Sequence, residues 1–263
     1  MEPTTPFNRI GVTRYGQLIY NVNDRYIGRS IEEYGEYSEK EAVVFDQVLQ
    51  PGNVVIEAGA NIGAHTLFLS RKVGPEGCVL TFEPQRLVFQ TLCGNVAINS
   101  LTNVYCWNMA LGAETGEIVV PVLDPNHEEN FGGLELQKEG EGERVPMVTI
   151  DSFELPKCDM MKIDVEGMEE EVLLGAKDTI ARLKPILYLE CDRKEKEQSL
   201  LKLIHSLGYR MFWHTPTLFN EKNYAGKSEN IFGETVSQNI FCIDVSMDHE
   251  LTGFTEIEMP QAA

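Results

Sequence analysis

An α/β fold built on a doubly wound, mostly parallel sheet is what the sequence predicts, and three observations carry the prediction. Short apolar runs of strand length alternate with longer stretches of helical spacing along most of the chain. The first full run, Val54-Val55-Ile56-Glu57, passes through Ala58-Gly59-Ala60-Asn61-Ile62-Gly63 into a helical pattern, which reads as strand, tight turn and helix start. Acids then recur where such runs end, at Glu57, Glu83, Asp164 and Glu190. That is the edge at which open α/β sheets bind their ligands.

Taken in order, residues 1–35 read as irregular chain or short strands, with 14–20 a hairpin strand. Ala42, Val43, Phe45, Val48 and Leu49 mark a helix over 39–49, which Pro51-Gly52 stops. Strand 53–57, crossover helix 63–72, strand 77–82, helix 85–99 and strand 104–108 follow. The alternation then breaks. Segments 117–123, 131–136 and 145–150 are short extended pieces between Pro, Gly and acidic turns, a small β-rich insertion beside the sheet. Strand 158–163, helix 168–182, strand 185–190 and helix 194–207 resume the pattern. Runs 209–213 and 239–245 close it as an antiparallel pair. The domain plan is an N-terminal extension with a hairpin over 1–38, a main domain over 39–247 and a C-terminal tail over 248–263.

Composition narrows the function. With 22 basic and 41 acidic residues, the 263-residue chain carries a formal charge of −19. Nucleic-acid binding needs clustered Lys and Arg, and no such patch is visible, so DNA and RNA are not expected as partners. Anionic membrane surfaces are disfavoured for the same reason. No apolar run approaches the ~18 residues of a membrane helix. The start of the chain, Met1-Glu2-Pro3-Thr4-Thr5-Pro6, lacks the basic and apolar regions of a signal peptide. Six scattered cysteines without a C-x-x-C pair read as reduced core residues, and a cytoplasmic location is expected.

The turn after the first strand reads E-x-G-x-N-x-G. It is not G-x-G-x-x-G, and it lacks the Lys-Ser/Thr of a phosphate loop. An acid at the strand tip repels phosphate and suits a cation, such as the ammonium and sulfonium of S-adenosylmethionine. Gly59 and Gly63 allow close backbone approach or positive φ. Glu83, before Pro84, ends the next strand and can accept from both ribose hydroxyls of a nucleoside. Asn108 and Met109 end the third strand, where they can bracket an adenine.

Asp164 and Glu166 follow Met161-Lys162-Ile163 and share a face if the chain stays extended. Glu190 ends the neighbouring strand. Apolar surroundings raise a carboxyl pKa, which makes each of the three a candidate general base. Asp164 also counts among the cofactor contacts. Asp164 and Glu190 together could hold a hard cation such as Mg²⁺. Metal-free chemistry is preferred, because only two of its six or more oxygen ligands can be named. His65, at a helix start, reads as a structural donor and His214 as a loop residue. The remaining histidines show no metal-ligand spacing, and no Ser-His-Asp or Cys-His arrangement is evident.

Over residues 35–245 or so, these motifs together resemble the FkbM family of S-adenosylmethionine-dependent methyltransferases. The matching residues are Gly35-Glu36-Tyr37, Glu57-Ala58-Gly59-Ala60-Asn61-Ile62-Gly63, Phe82-Glu83-Pro84, Asn108-Met109-Ala110-Leu111-Gly112, Asn130-Phe131-Gly132-Gly133 and Thr149-Ile150-Asp151. Lys162-Ile163-Asp164-Val165-Glu166-Gly167-Met168-Glu169, with Val172-Leu173-Leu174-Gly175, is the most specific. The resemblance implies a class I, Rossmann-like fold with a seven-stranded sheet containing one antiparallel strand. It implies O-methylation, often of a sugar or polyketide hydroxyl. By position, Glu57, Gly59, Asn61 and Gly63 would hold the methionine part, Glu83 the ribose, and Asn108 with Met109 the adenine. Glu57 departs from the family, which more often has Asp there.

The expected activity is therefore methyl transfer to a hydroxyl of a small-molecule or carbohydrate acceptor. The oxygen attacks in line, and Asp164, Glu166 or Glu190 assists its deprotonation. The insert 123–144 and the segment 214–238 are expected to cap the site and select the acceptor. Two other classes remain open on the residues alone, a nicotinamide-dependent oxidoreductase and a nucleoside-cofactor-binding module without catalysis. The missing third glycine and the Asn in the turn count against the first. Acids on three strand ends exceed what the second requires.

Overall fold

The computed structural model describes residues 6–247 and 253–259. Residues 1–5, 248–252 and 260–263 lie outside the described residues, so the expectations for the extreme N-terminus and for most of the tail are not addressed.

The chain opens with a hairpin, β1 (Asn8–Thr13) and β2 (Gly16–Asn21). Helix α1 (Ile27–Tyr34) follows, an element the sequence reading left irregular. Then come α2 (Glu39–Val48), β3 (Val54–Ala58), α3 (Ala64–Val73), β4 (Cys78–Phe82), α4 (Arg86–Ile98) and β5 (Val104–Trp107). The insertion holds β6 (Ala110–Leu111), β7 (Gly116–Val120) and β8 (Glu143–Val148), and a single 3-10 turn over Ile150–Phe153 leads out of it. The second half holds β9 (Met160–Ile163), α5 (Glu169–Leu174), α6 (Lys177–Leu183), β10 (Ile186–Glu190), α7 (Lys194–Ser206), β11 (Tyr209–His214), β12 (Asn239–Asp244) and β13 (Thr255–Glu256).

The main sheet runs β13-β11-β12-β10-β9-β3-β4-β5. The strands from β10 to β5 are mutually parallel. β12 slots antiparallel between β10 and β11, so the expected antiparallel pair is present and closes the sheet. An eighth strand exceeds the seven expected. It is the two-residue β13, drawn from the region read as tail and paired to the edge of β11.

Strands covered on both faces carry near-continuous apolar runs, and β3, β9 and β10 do. One face packs Val55, Val79, Met160, Tyr188 and Phe241 against α2 and α3. The other packs Ile56, Met161, Leu187 and Cys242 against α5, α6 and α7. All six cysteines are free thiols.

The N-terminal hairpin is locked onto this frame by one buried amide. Asn95 of α4 is 0% exposed. Its Oδ1 accepts from the Ile19 amide at 2.6 Å, and its Nδ2 donates to the Ile19 and Ile62 carbonyls at 3.0 and 2.7 Å. A side chain thus stands in for the strand that β2 lacks.

Two expectations are corrected. Segment 131–136 is not a strand; only Gln137 beyond it bridges to Val119, and β6, β8 and β7 make the small sheet. The single helix expected over 168–182 is two. A Cβ at Gly175 would lie 2.0 Å from the Gly112 carbonyl, so the insertion presses on the helix there. Asp151 holds the break: its amide donates to the Gly175 carbonyl at 2.9 Å. Its carboxylate accepts from the amides of Asp178 at 3.0 Å and Thr179 at 2.8 Å, capping α6 from a distant segment.

Asp151→Ala is therefore expected to destabilise the fold by about 0.5–2 kcal/mol, the usual cost of a lost cap. Chemical denaturation of the variant beside wild type measures this, and coincident curves would show that α6 does not need Asp151.

Candidate active site

At the carboxyl ends of β3, β4, β9 and β10 the sheet opens into a cleft of about 300 Å³. Its floor is the turn after β3. Gly59, Asn61 and Gly63 take φ of 75°, 49° and 86°, all left-handed. The amides of Gly59 and Ala60 both donate to the Phe82 carbonyl, at 3.0 and 3.1 Å, which pins the turn to β4. The sequence reading gave the glycines close backbone approach or positive φ, and positive φ is found at both. At Gly59 what approaches is the chain itself, since a Cβ would sit 1.8 Å from the Asp164 carbonyl oxygen. At Gly63 a Cβ would meet Leu92 at 2.7 Å.

Glu83 turns back over this floor. Its Oε2 accepts from the Asn61 amide at 2.9 Å and its Oε1 from the Gln85 amide at 2.8 Å. Burial pushes its carboxyl up to about 7 against the pull of those two amides. Each oxygen keeps lone-pair capacity toward the cleft. Met109 lines the cleft but Asn108 does not. Asn108 Nδ2 donates to the Glu83 and Pro84 carbonyls at 2.8 and 2.9 Å, so the residue read as an adenine contact fixes the Glu83 turn from behind.

Beneath the turn lies a charge cluster that the sequence reading did not assemble. Lys162 of β9 sits in register beside Glu57 of β3, with both side chains on one face of the sheet, and is 3% exposed. Its Nζ is 2.9 Å from Asp164 Oδ2. Burial works against its charge, but Asp164, Glu41 and Glu57 win and hold its pKa above the usual lysine value. Glu57 Oε2 also accepts from Thr66 Oγ1 at 2.6 Å, and Glu41 Oε1 from Ser38 Oγ at 2.7 Å. Burial raises Glu41 and Glu57 to about 7 each, with Lys162 opposing the rise. The available signal was a lone lysine inside the otherwise apolar Met160-Met161-Lys162-Ile163.

The three rim acids do converge. One carboxylate oxygen from each of Asp164, Glu166 and Glu190 lies within 4.8 Å of the others. They meet through a turn rather than strand alternation, because β9 ends at Ile163 and Glu166 adopts a φ of 53°. Glu169 shapes that turn by accepting from the Val165 and Gly167 amides at 3.2 and 3.0 Å. Their partners differ. Asp164 is paired with Lys162, and Glu166 with Arg193 Nη2 at 2.8 Å. Glu190 Oε2 is buried without a hydrogen-bond partner. Burial, then Asp164, lifts Glu166 to about 8; burial, then Asp164 and Glu166, holds Glu190 well above the usual carboxylate range.

A cap closes the far side, as expected of 123–144 and 214–238, with the N-terminal segment added. Glu36 accepts from Arg14 at 2.6 Å, Asn220 at 2.8 Å and the Tyr224 amide at 2.7 Å. Tyr34 Oη donates to the Glu229 carbonyl and accepts from the Ile231 amide, each at 2.8 Å. Cap residues facing the cleft include Tyr26, Tyr37, Leu134, Leu136, Leu218 and Ser237, and none of the cap's lining residues is charged. His214 is not among the lining residues; it closes β11 and hydrogen-bonds Tyr188 Oη at 2.8 Å. His65 does line the cleft, together with Lys162 and Arg193.

Comparison with known proteins adds independent findings. The family model described as the methyltransferase FkbM domain matches residues 57–211. Methyltransferase 1 of Beauveria bassiana (strain ARSEF 2860) is 27% identical over 192 residues, covering 62% of this chain and 77% of that protein. Methyltransferase sdnD of Sordaria araneosa is 28% identical over 166 residues, covering 50% of this chain and 63% of that protein. The crystal structure of a methyltransferase FkbM from Methylobacillus flagellatus KT superposes with a TM-score of 0.50 at 16% identity, over 77% of this chain and 50% of that one. The last likeness concerns the fold alone, and the chain spans half the length of that solved chain.

Burial of ionisable acids makes stability depend on pH. Glu83 is near its ordinary value when unfolded and near 7 when folded, so its contribution is lost as pH rises through 7. Glu83→Gln removes that titration. The variant's stability relative to wild type is expected to rise between pH 5 and pH 8 in parallel denaturation series, and a constant difference would show that Glu83 is not held protonated by burial.

Proposed function

The chain belongs to the FkbM family of S-adenosylmethionine-dependent methyltransferases, and from that premise we propose that it carries the methyl group to a hydroxyl oxygen of a small-molecule or carbohydrate acceptor, with Glu190 taking the proton. Its fold is the class I, Rossmann-like methyltransferase fold. In this reading the methionine part of the cofactor lies on the turn of Glu57, Gly59, Asn61 and Gly63, with Asp164 beyond it. Glu83 accepts from the ribose hydroxyls, and Met109 borders the adenine. Asn108 acts through Glu83.

The observation that supports Glu190 is its unpartnered buried oxygen. Of the three candidate bases, Asp164 and Glu166 are each held by an internal cation, which fixes the side chain and occupies one of its oxygens. Glu190 has neither restraint. The acceptor oxygen attacks the methyl carbon from the side opposite sulfur. The carbon–sulfur bond breaks to leave a neutral thioether, and the hydroxyl proton passes to Glu190. Positioning supplies much of the rate, since oxygen, carbon and sulfur must lie in line.

The cap supports an uncharged acceptor. Acids abound in the insert, but Glu128, Glu129, Glu135, Glu139 and Glu141 are exposed, while apolar and hydroxyl side chains face inward. Such a wall suits a hydroxylated ligand with an apolar face.

The convergence of three carboxylates favours a second reading, a divalent cation that acidifies the hydroxyl. Asp164, Glu166 and Glu190 would be its ligands. To use the first two fully, the ion would have to compete with Lys162 and Arg193, which is why the metal-independent reading is preferred.

Glu190→Gln is expected to lower turnover about 10²–10⁴-fold with little change in cofactor affinity, measured by labelled methyl transfer and calorimetry. In wild type the rate should fall as pH is lowered through the raised pKa of Glu190. Retained turnover in the variant would remove Glu190 as the base. Activity should also survive EDTA; loss reversed specifically by Mg²⁺ would establish the metal reading. Glu83→Ala should weaken S-adenosylmethionine binding by roughly 1–3 kcal/mol, the cost of leaving the ribose hydroxyls without their acceptor. Unchanged affinity would take Glu83 out of the ribose role.

A further inference from the structure

His65 stands in the first turn of α3, two residues beyond Gly63, and is 6% exposed. The residue lines the cleft, and its Nε2 is buried with no hydrogen-bond partner. Buried polar atoms in folded proteins are nearly always satisfied, so an orphan on a cleft wall points to a ligand atom. The ring cannot turn away to find a partner elsewhere, because Tyr37 and Phe45 hold it with centroids at 5.9 and 5.6 Å.

The orientation of the ring defines what Nε2 offers. The Ser38 backbone favours a proton on the ring, and because Nε2 has no partner that proton belongs on Nδ1. Burial, helped by Lys162, keeps the imidazole neutral, with its pKa lowered to about 3. A neutral ring that donates from Nδ1 presents a lone pair at Nε2. It needs an O–H or N–H donor.

The charge around it selects the donor. Glu41 Oε2 is 4.0 Å from Nε2. Glu41, Glu57 and Asp164 surround Lys162, three carboxylates to one ammonium. An anion is disfavoured here and a cationic N–H donor is favoured. The acceptor hydroxyl is the wrong candidate, because it must reach Glu190 at the end of β10, two strands away from the β3 turn that feeds α3.

We infer that His65 Nε2 accepts a hydrogen bond from the α-ammonium of the cofactor's methionyl group. The inference rests on the S-adenosylmethionine reading of the cleft and assigns a binding role to a residue that the sequence motifs left as a structural donor.

Two probes test it, S-adenosylhomocysteine and its des-amino analogue, which keeps the carboxylate and lacks the ammonium. In calorimetry, His65→Leu should bind S-adenosylhomocysteine about tenfold or more weakly than wild type and bind the des-amino analogue as wild type does. Equal losses on both probes, or none on the first, would overturn the inference. Should the variant fold poorly, wild type suffices. Long-range proton–nitrogen correlation spectra of the five histidines should show the Nε2 resonance of His65 moving with S-adenosylhomocysteine and staying in place with the analogue. Movement with both, or with neither, counts against it. Failure of wild type to bind S-adenosylhomocysteine at all would instead sink the cofactor reading itself.

Discussion

One buried ammonium organises the catalytic end of this molecule. Lys162 lies inside the sheet and faces Glu57, Glu41 and Asp164 from β3, α2 and the end of β9. Burial drives Glu41 and Glu57 toward neutrality, and the charge of Lys162 opposes it in both. The lysine makes their coexistence affordable. It fixes Asp164 by a 2.9 Å contact, and the Asp164 carbonyl is the group against which Gly59 has no room for a side chain. The shape of the cofactor turn and the charge of the rim thus hang on the same strand end. A buried ion pair of this kind is weak evidence for stability as such. Its consequence here is a negative cleft with defined geometry.

Charge is sorted by architecture. Every acidic, basic or histidine side chain lining the cleft comes from the sheet's carboxyl rim or from the turns and helix starts attached to it, while the cap contributes none. In the proposed function the rim meets the cationic cofactor and the migrating proton, and the cap meets the remainder of the acceptor. The cap is also fastened by buried polar contacts, through Glu36 and Tyr34, rather than by packing alone. Such contacts fix its register over the cleft, because a shifted segment would leave a buried carboxylate unsatisfied.

The strand–turn–helix of residues 54–73 was legible because glycine, acid and apolar periodicity each report a local requirement. The rim acids were legible for the same reason: strands end where the apolar run ends. Helix α1 was not, since it is eight residues long and its apolar stripe is only Ile27, Ile31 and Tyr34. The break between α5 and α6 was invisible because it is imposed by the Gly112 carbonyl and capped by Asp151, both remote in sequence. The bonding of Asn108 was not legible for a related reason. Its position at a strand end was correct, but the direction of its amide depends on where the Glu83 and Pro84 carbonyls happen to lie.

By itself the sequence determined the fold class, the order of most elements, the glycine turn after β3 and the acids that end the strands. These follow from periodicity and from backbone demands that single residues satisfy. Only the tertiary structure decided which acid is free. Asp164, Glu166 and Glu190 look alike as residues at strand ends, and they differ because Lys162 and Arg193 reach two of them and not the third. It also decided that His65 faces the cleft with an unmet nitrogen. Pairing and burial are properties of groups brought together from distant parts of the chain, and no local pattern encodes them.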